Sequence, residues 1–248
     1  MDIARYERLW SSNWQTVQAI GPLTHTRYRL LSALLPQDLR GSPAIIDIGC
    51  GNGAYLSFLQ GAIPGVRLCG IEPTVAGKAA ADPAVRHFIL TGTVAEVAAR
   101  LRAGTFDVVI CSEVLEHVDD PEGSLRIIYS LLRPGGRALM TVPGGMRHWS
   151  SQDEVAGHLR RFEFDEFRQM QQEVGFEVTE QYGWGGPFAS VYNHLVSNVG
   201  PERVMQTQSN PLIKAGSRLL SGLFRVDDWF KSKRGFQLVS AATRPFET

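Results

Sequence analysis

Ala44-Ile45-Ile46-Asp47-Ile48-Gly49-Cys50-Gly51-Asn52-Gly53-Ala54 is the stretch that decides the fold. Its first five residues are a nearly continuous apolar run, as in a strand buried on both faces of a parallel sheet. Three glycines follow within five residues, and Tyr55-Leu56-Ser57-Phe58-Leu59 begins a helix. Glycines at such a junction let the backbone turn tightly and approach a ligand closely, beside the positive end of the helix.

Working outward, the same alternation continues. Residues 66–71, 87–90, 106–111 and 137–142 read as strands, and 95–101 and 125–132 as helices, the latter stopped by Pro134-Gly135-Gly136. Strand–helix alternation at this spacing implies right-handed crossovers and a sheet covered on both faces. Beyond Pro143 come a helix over 164–174 ended by Gly175, a strand over 176–181 and a last strand over 236–242. Ile3, Tyr6, Trp10, Trp14 and Val17 lie close to one helical face. The expectation is an α/β, doubly wound, mostly parallel sheet over 43–182 and 235–248. An N-terminal helical lid over 1–42 precedes it, and a helical insertion over 183–234 interrupts it before the last strand as a substrate cap.

Composition narrows the function classes. The chain has 248 residues, 44% apolar and 20% charged, which excludes a disordered chain, a collagen-like repeat and a coiled coil. Its 25 basic and 25 acidic residues cancel, so no net field recruits nucleic acid. Cys50, Cys69 and Cys111 are scattered without a CxxC pair, which speaks against a disulfide scaffold or a zinc site, and Cys50 and Cys111, at strand ends, read as small buried thiols. No His/Asp/Glu group has ligand spacing in the sequence, so no metal is expected. The N-terminus lacks a signal-like apolar core and no apolar run reaches ~18 residues, so a cytoplasmic protein is expected.

Glu72 ends the second strand, 19 residues after Gly53, where a carboxylate can accept both hydroxyls of a ribose. Together with the glycines it points to a nucleoside-bearing cofactor at the carboxyl edge of the sheet. Gly49–Ala54 also fits the dinucleotide fingerprint, which keeps a nicotinamide-dependent oxidoreductase open. Asp47, two residues before the first glycine, would repel a pyrophosphate and welcome an ammonium, which favours S-adenosylmethionine.

With Asp47–Gly53, Glu72, the segment Phe106–Val118 and Leu131-Leu132-Arg133-Pro134-Gly135-Gly136 in this order, the sequence resembles the class I S-adenosylmethionine-dependent methyltransferases, of small-molecule type. The resemblance implies a seven-stranded Rossmann-like sheet whose final strand inserts antiparallel. It implies that Gly49 and Gly51 line the methionine moiety of the cofactor and that Glu72 binds the ribose, with Asp47, Cys50, Gly53 and Ser112 completing the cofactor set. Family members often place Asp after the third strand to hold the adenine amino group; here Thr93 stands there and offers a weaker, uncharged contact.

The implied reaction is in-line displacement at the sulfonium methyl by an oxygen or nitrogen of a small molecule such as a natural product, a glycan or a lipid-linked acceptor. Alignment and desolvation supply most of the acceleration, and a base adds ~10²–10⁴-fold for a hydroxyl acceptor. His117, after the fourth strand, and His158, past the fifth, are the candidate bases, with Glu113 comparable to His117. Cys111-Ser112-Glu113-Val114 stands where amide and adenine methyltransferases carry Asn/Asp-Pro-Pro-Tyr, which favours a small acceptor. A macromolecule methyltransferase and a cofactor-binding protein without catalysis remain as alternatives. Residues 212–234 interleave apolar and basic groups, as a cap helix or a peripheral membrane contact would. The sequence leaves the oligomeric state open.

Overall fold

The computed structural model describes residues 2–11, 21–39, 41–199, 216 and 219–246, with backbone alone for 197–199. Trp14, Val17 and most of 200–218 lie outside the described residues. A seven-stranded sheet forms the centre, with strands β1 (Ala44–Ile48), β2 (Arg67–Glu72), β3 (Ile89–Thr91), β4 (Phe106–Ser112), β5 (Leu132–Pro143), β6 (Glu177–Trp184) and β7 (Gln237–Thr243). Their order is β3-β2-β1-β4-β5-β7-β6. All neighbours pair in parallel except β7, which runs antiparallel to both β5 and β6. The doubly wound sheet and its inserted last strand match the expectation from the sequence.

β1 lies inside the sheet between β2 and β4, and all five of its residues are buried. Alternate residues supply two cores. Ile46, Ile48, Val109, Cys111 and Met140 meet the helices α6 (Val94–Ala98), α7 (Pro121–Leu131) and α9 (Phe164–Val174) on one face. Ile45, Val108, Ile110 and Leu139 meet α2 (Pro22–Ala33) and α3 (Ala54–Ala62) on the other. Leu30 and Leu31 of α2 are buried there, so this helix builds the sandwich itself, while α1 (Ile3–Trp10) lies outside the sheet.

Several local boundaries differ from the sequence pattern, for physical reasons. Pro134-Gly135-Gly136 does not precede β5 but falls within it. The register jumps from Phe106↔Leu132 to Val108↔Arg137, so the three residues bulge out of the ladder. Gly135, at φ 75°, donates its N–H to the Arg244 carbonyl at 2.8 Å, which holds the bulge. β6 extends three residues past Gln181 because Tyr182, Gly183 and Trp184 pair with Val239, Leu238 and Gln237. The insertion therefore begins after Trp184.

Within the insertion, α10 (Pro187–Val199) is capped by the buried Asp227, whose carboxylate accepts from the Phe188 and Ala189 amides at 3.2 and 2.7 Å. Asp228 accepts from Trp184 Nε1 at 3.0 Å and pairs with Arg29 of α2. The apolar and basic repeat read over 212–234 is described only in part. In that part Phe224 is fully buried while Leu219 and Leu223 are exposed.

Candidate active site

The carboxyl ends of β1, β2, β4 and β5 open onto one cavity of about 830 Å³, within the range of small-molecule sites. The antiparallel β7 begins at this same edge, so Gln237 joins the wall.

The glycine loop forms one end. Gly49, Gly51 and Gly53 all have positive φ, at 71°, 55° and 67°. A Cβ on Gly49 would lie 2.4 Å from Val114, and one on Gly51 would lie 2.6 Å from the Trp10 ring. Only glycine fits these two positions, which line the cavity. Gly53 stands apart from the cavity wall. It caps α3 with its back to Val85 and Ile89, so it serves the turn rather than a ligand.

Asp47 is buried at the end of β1 and faces the cavity. Burial, with Glu72 adding its charge, raises its carboxyl to about 8. A cationic ligand group is what this acid lacks. Glu72 is held by its own loop: Gly51 N–H donates at 3.0 Å, and Thr74 donates its amide at 3.0 Å and its hydroxyl. Burial still raises its pKa against those three donors. The sequence reading of a free carboxylate missed Thr74, which also caps the short helix α4 (Val75–Ala79). One acceptor direction of the Glu72 carboxylate remains for a ribose hydroxyl.

Thr93 and Ser112 both line the cavity, yet both hydroxyls are engaged. Thr93 forms a capping box with Glu96 at the start of α6. Ser112 Oγ lies 2.8 Å from Thr141 Oγ1. Cys50 lines the cavity as a buried thiol whose pKa burial pushes up. Cys111 is buried in the sheet, and all three cysteines are free.

The other end of the cavity brings together residues far apart in sequence. His117 lies in the short turn after β4, and His158 follows α8 (Ser151–Ala156). Their rings are 4.8 Å apart between centroids. His158 Nδ1 lies 2.7 Å from Asp153 Oδ1, and the Asp153 carboxylate also accepts from Arg161 Nε and Nη2 at 2.8 and 2.9 Å. These donors outweigh burial and drive the Asp153 pKa far below the usual carboxylate range. A carboxylate can only accept, so the His158 Nδ1 carries a proton, and in the neutral ring Nε2 is the acceptor.

His117 Nδ1 lies 3.3 Å from the Gly157 carbonyl and 2.5 Å from the Tyr6 hydroxyl, which donates its own proton to Ala156 O at 2.6 Å. Its proton is therefore also on Nδ1. Burial lowers its pKa to about 3, so the ring stays neutral.

Glu116 lies between the two rings. Its Oε1 is 3.7 Å from His117 Nε2 and 3.9 Å from His158 Nε2. The sequence expectation that no residues gather at ligand distance is thus corrected: the ligand atoms of Glu116, His117 and His158 lie within 4.8 Å of one another. Linear spacing hid this because His158 arrives from a different strand crossover.

Glu113 is the one non-glycine among the described residues with positive φ, at 58°. Its Oε1 accepts from Thr141 Oγ1 at 2.9 Å and Gln237 Nε2 at 2.6 Å, and Arg27 approaches Oε2 at 3.7 Å. These bonds hold a backbone conformation that costs ~1–3 kcal/mol. Asp153, Glu116, Tyr6 and Gln237 escaped the sequence reading. Only Asp153 had a local signal, the Ser150–Asp153 capping box.

The residues fit S-adenosylmethionine. The cavity offers a glycine cradle that a Cβ would fill, a buried unneutralised acid for an ammonium, and a second acid at the end of β2.

Comparison with known proteins agrees. Residues 23–181 match the family described as "Methyltransferase domain". A ubiquinone biosynthesis O-methyltransferase of Marinobacter nauticus is 31% identical over 77% of this chain and 88% of its own. One from Escherichia coli O9:H4 is 33% identical over 64% of this chain and 68% of its own. Among solved structures, the complex of the Haloferax volcanii Trm112 methyltransferase activator with its methyltransferase aligns at TM-score 0.65 and 16% identity, covering 97% of each chain. Haemonchus contortus phosphoethanolamine N-methyltransferase 2 with S-adenosyl-L-methionine aligns at TM-score 0.61 and 16% identity, covering 89% of this chain and 52% of that one. These structural matches speak for the fold, and the family match for the activity. The chain belongs to the class I methyltransferases and is an S-adenosylmethionine-dependent enzyme.

Proposed function

We propose that the chain methylates a hydroxyl oxygen of a small-molecule acceptor held at the His158 end of the cavity. The observation that carries this reading is the His158–Asp153 pair, which lines a cavity of bounded volume. The relatives named as O-methyltransferases of ubiquinone biosynthesis support an oxygen acceptor.

S-adenosylmethionine, when bound, supplies an electrophilic methyl on a sulfonium. The chain's own residues do the rest. Gly49 and Gly51 admit the methionine part against the backbone, Asp47 holds its ammonium and Glu72 a ribose hydroxyl. Cys50 and Ser112 line this compartment, and Thr93 stands on the adenine side with its hydroxyl committed to its helix cap. His158, locked by Asp153 in the Nδ1–H tautomer, accepts the proton of the acceptor hydroxyl at Nε2. His117 lines the same compartment as a neutral second acceptor of hydrogen bonds.

The insertion is the acceptor-side cap in this reading, since Tyr192, Asn193 and Val196 of α10 line the cavity. The peripheral membrane alternative is weakened because Lys231 pairs with Glu180 at 3.3 Å and Lys233 with Asp165 at 2.7 Å. No helix among the described residues is long and apolar enough to cross a membrane.

The test uses His158→Gln and Asp153→Asn with a panel of phenolic and aliphatic hydroxyl acceptors. The rate of transfer is expected to fall ~10²–10⁴-fold in His158→Gln. Calorimetric affinity for S-adenosylhomocysteine should stay near wild type. Wild-type turnover in a folded His158→Gln enzyme would remove this residue from the reaction.

A further inference from the structure

Glu116 has no place in the account so far. Its side chain is 0% exposed, and neither carboxyl oxygen has a hydrogen-bond partner. An unpaired buried carboxyl is costly, and native proteins retain one only where something offsets that cost. What surrounds this one is a pair of imidazoles whose Nε2 atoms lie 3.7 and 3.9 Å from its Oε1. Each imidazole is fixed from behind through Nδ1, His158 by Asp153 and His117 by the Gly157 carbonyl and the Tyr6 hydroxyl. Outer partners on Nδ1 that aim Nε2 inward are the usual support of histidines that ligate metal.

We propose that Glu116, His117 and His158 bind a divalent transition-metal cation, with its open coordination positions facing the acceptor compartment. Bonds of ~2.1 Å would place the ligand atoms roughly 3.0–3.5 Å apart, so the three groups close by less than about 1 Å each. Two nitrogens and one oxygen suit Zn²⁺, Mn²⁺, Fe²⁺ or Co²⁺ better than Ca²⁺, which prefers oxygen alone. Both histidines line the cavity and Glu116 lies behind them, so the free positions point toward the acceptor.

This inference rests on the reading of an oxygen acceptor and deepens it. An acceptor hydroxyl bound to the cation loses its proton to water, because the cation stabilises the oxyanion. That oxygen then forms the new O–C bond as the C–S bond breaks, and the electron pair of that bond stays on sulfur. The histidines then serve as ligands rather than proton acceptors. The acceptor class becomes a hydroxyl with a neighbouring oxygen that can chelate.

The test is direct cation binding by the full chain after dialysis against EDTA. Calorimetric titration with MnCl₂ and ZnCl₂ is expected to show one site per chain, and CoCl₂ to give visible absorption bands from nitrogen and oxygen ligands. Glu116→Gln should abolish this site, and Asp153→Asn should weaken it about 10–100-fold. S-adenosylhomocysteine binding, measured without cation, reports that each variant is folded and separates this question from the cofactor site. No saturable binding at millimolar cation by the folded wild type overturns the site. So does cation binding unchanged in Glu116→Gln, or transfer that keeps its full rate after chelation, which would leave His158 as the proton acceptor.

Discussion

Asp47 is a single carboxyl group with a measurable consequence. Burial and the Glu72 charge raise it to about 8, whereas an unfolded chain holds such a group near ~3.9. At neutral pH the folded chain therefore keeps a proton that the unfolded chain has lost. The contribution of Asp47 to stability is full below ~4 and is lost as pH rises toward about 8. The other groups that face it are Glu72, itself raised, and Tyr28, Tyr55 and Cys50, all pushed upward by burial. An ammonium placed beside Asp47 reverses the shift. Binding of S-adenosylhomocysteine at pH 7 should therefore release protons, seen as a buffer-dependent enthalpy, and affinity should rise with pH up to about 8. Glu72 shares in the release, and Asp47→Asn isolates its part. Affinity that is flat with pH in the wild type would show that Asp47 does not meet the ammonium.

At the level of elements, α1 crosses the mouth of the cavity from one bank to the other. Glu7 accepts from the Val75 and Ala76 amides at the start of α4, both at 2.9 Å, on the cofactor side. Arg5 donates to the Glu154 and Val155 carbonyls, and Tyr6 reaches Ala156 and His117, on the acceptor side. Trp10, 7% exposed, lies on Gly51, where the methionine part of the cofactor is expected. The ring must shift when that space fills. Cofactor binding should change tryptophan fluorescence in the wild type, and Trp10→Phe should remove most of the change; an equal change in both would mean that the ring stays put. The sheet was legible because its strands are short apolar runs separated by glycines and prolines, a local signal. The bulge at Pro134–Gly136 was not, since it depends on the Arg244 carbonyl from the far end of the chain. Gly49, Gly51, Asp47 and His117 were legible as residue types at or just past strand ends, and His158 as a histidine beyond the fifth strand. Their partners were not. Asp153, Glu116 and Tyr6 acquire meaning only when α1, α8 and the turn after β4 converge, and no sequence period records that meeting.

For the whole molecule, the proposed division between a cofactor half and an acceptor cap makes a separable prediction. Replacing residues 186–234 by a short Gly/Ser linker should leave S-adenosylhomocysteine binding within a few-fold of wild type and abolish methyl transfer. Loss of both would show that the insertion supports the cofactor site as well. Trp229, 84% exposed beside two ion-paired lysines, marks the outer surface of this cap. Flotation with anionic vesicles should show no salt-sensitive binding; binding that Lys231→Glu/Lys233→Glu eliminates would favour the membrane alternative instead. The register of the last two strands carries one more consequence. Trp184 and Gln237 face each other across the ladder, so the insertion leaves and re-enters the sheet at one rung, like a hairpin with an oversized loop. Closing a loop costs only about 0.6 kcal/mol more for each doubling of its length. A cap of a different size, with a different pocket, can thus be grafted at that neck with little change in the stability of the sheet, and acceptor choice can be exchanged while the methyl donor stays the same.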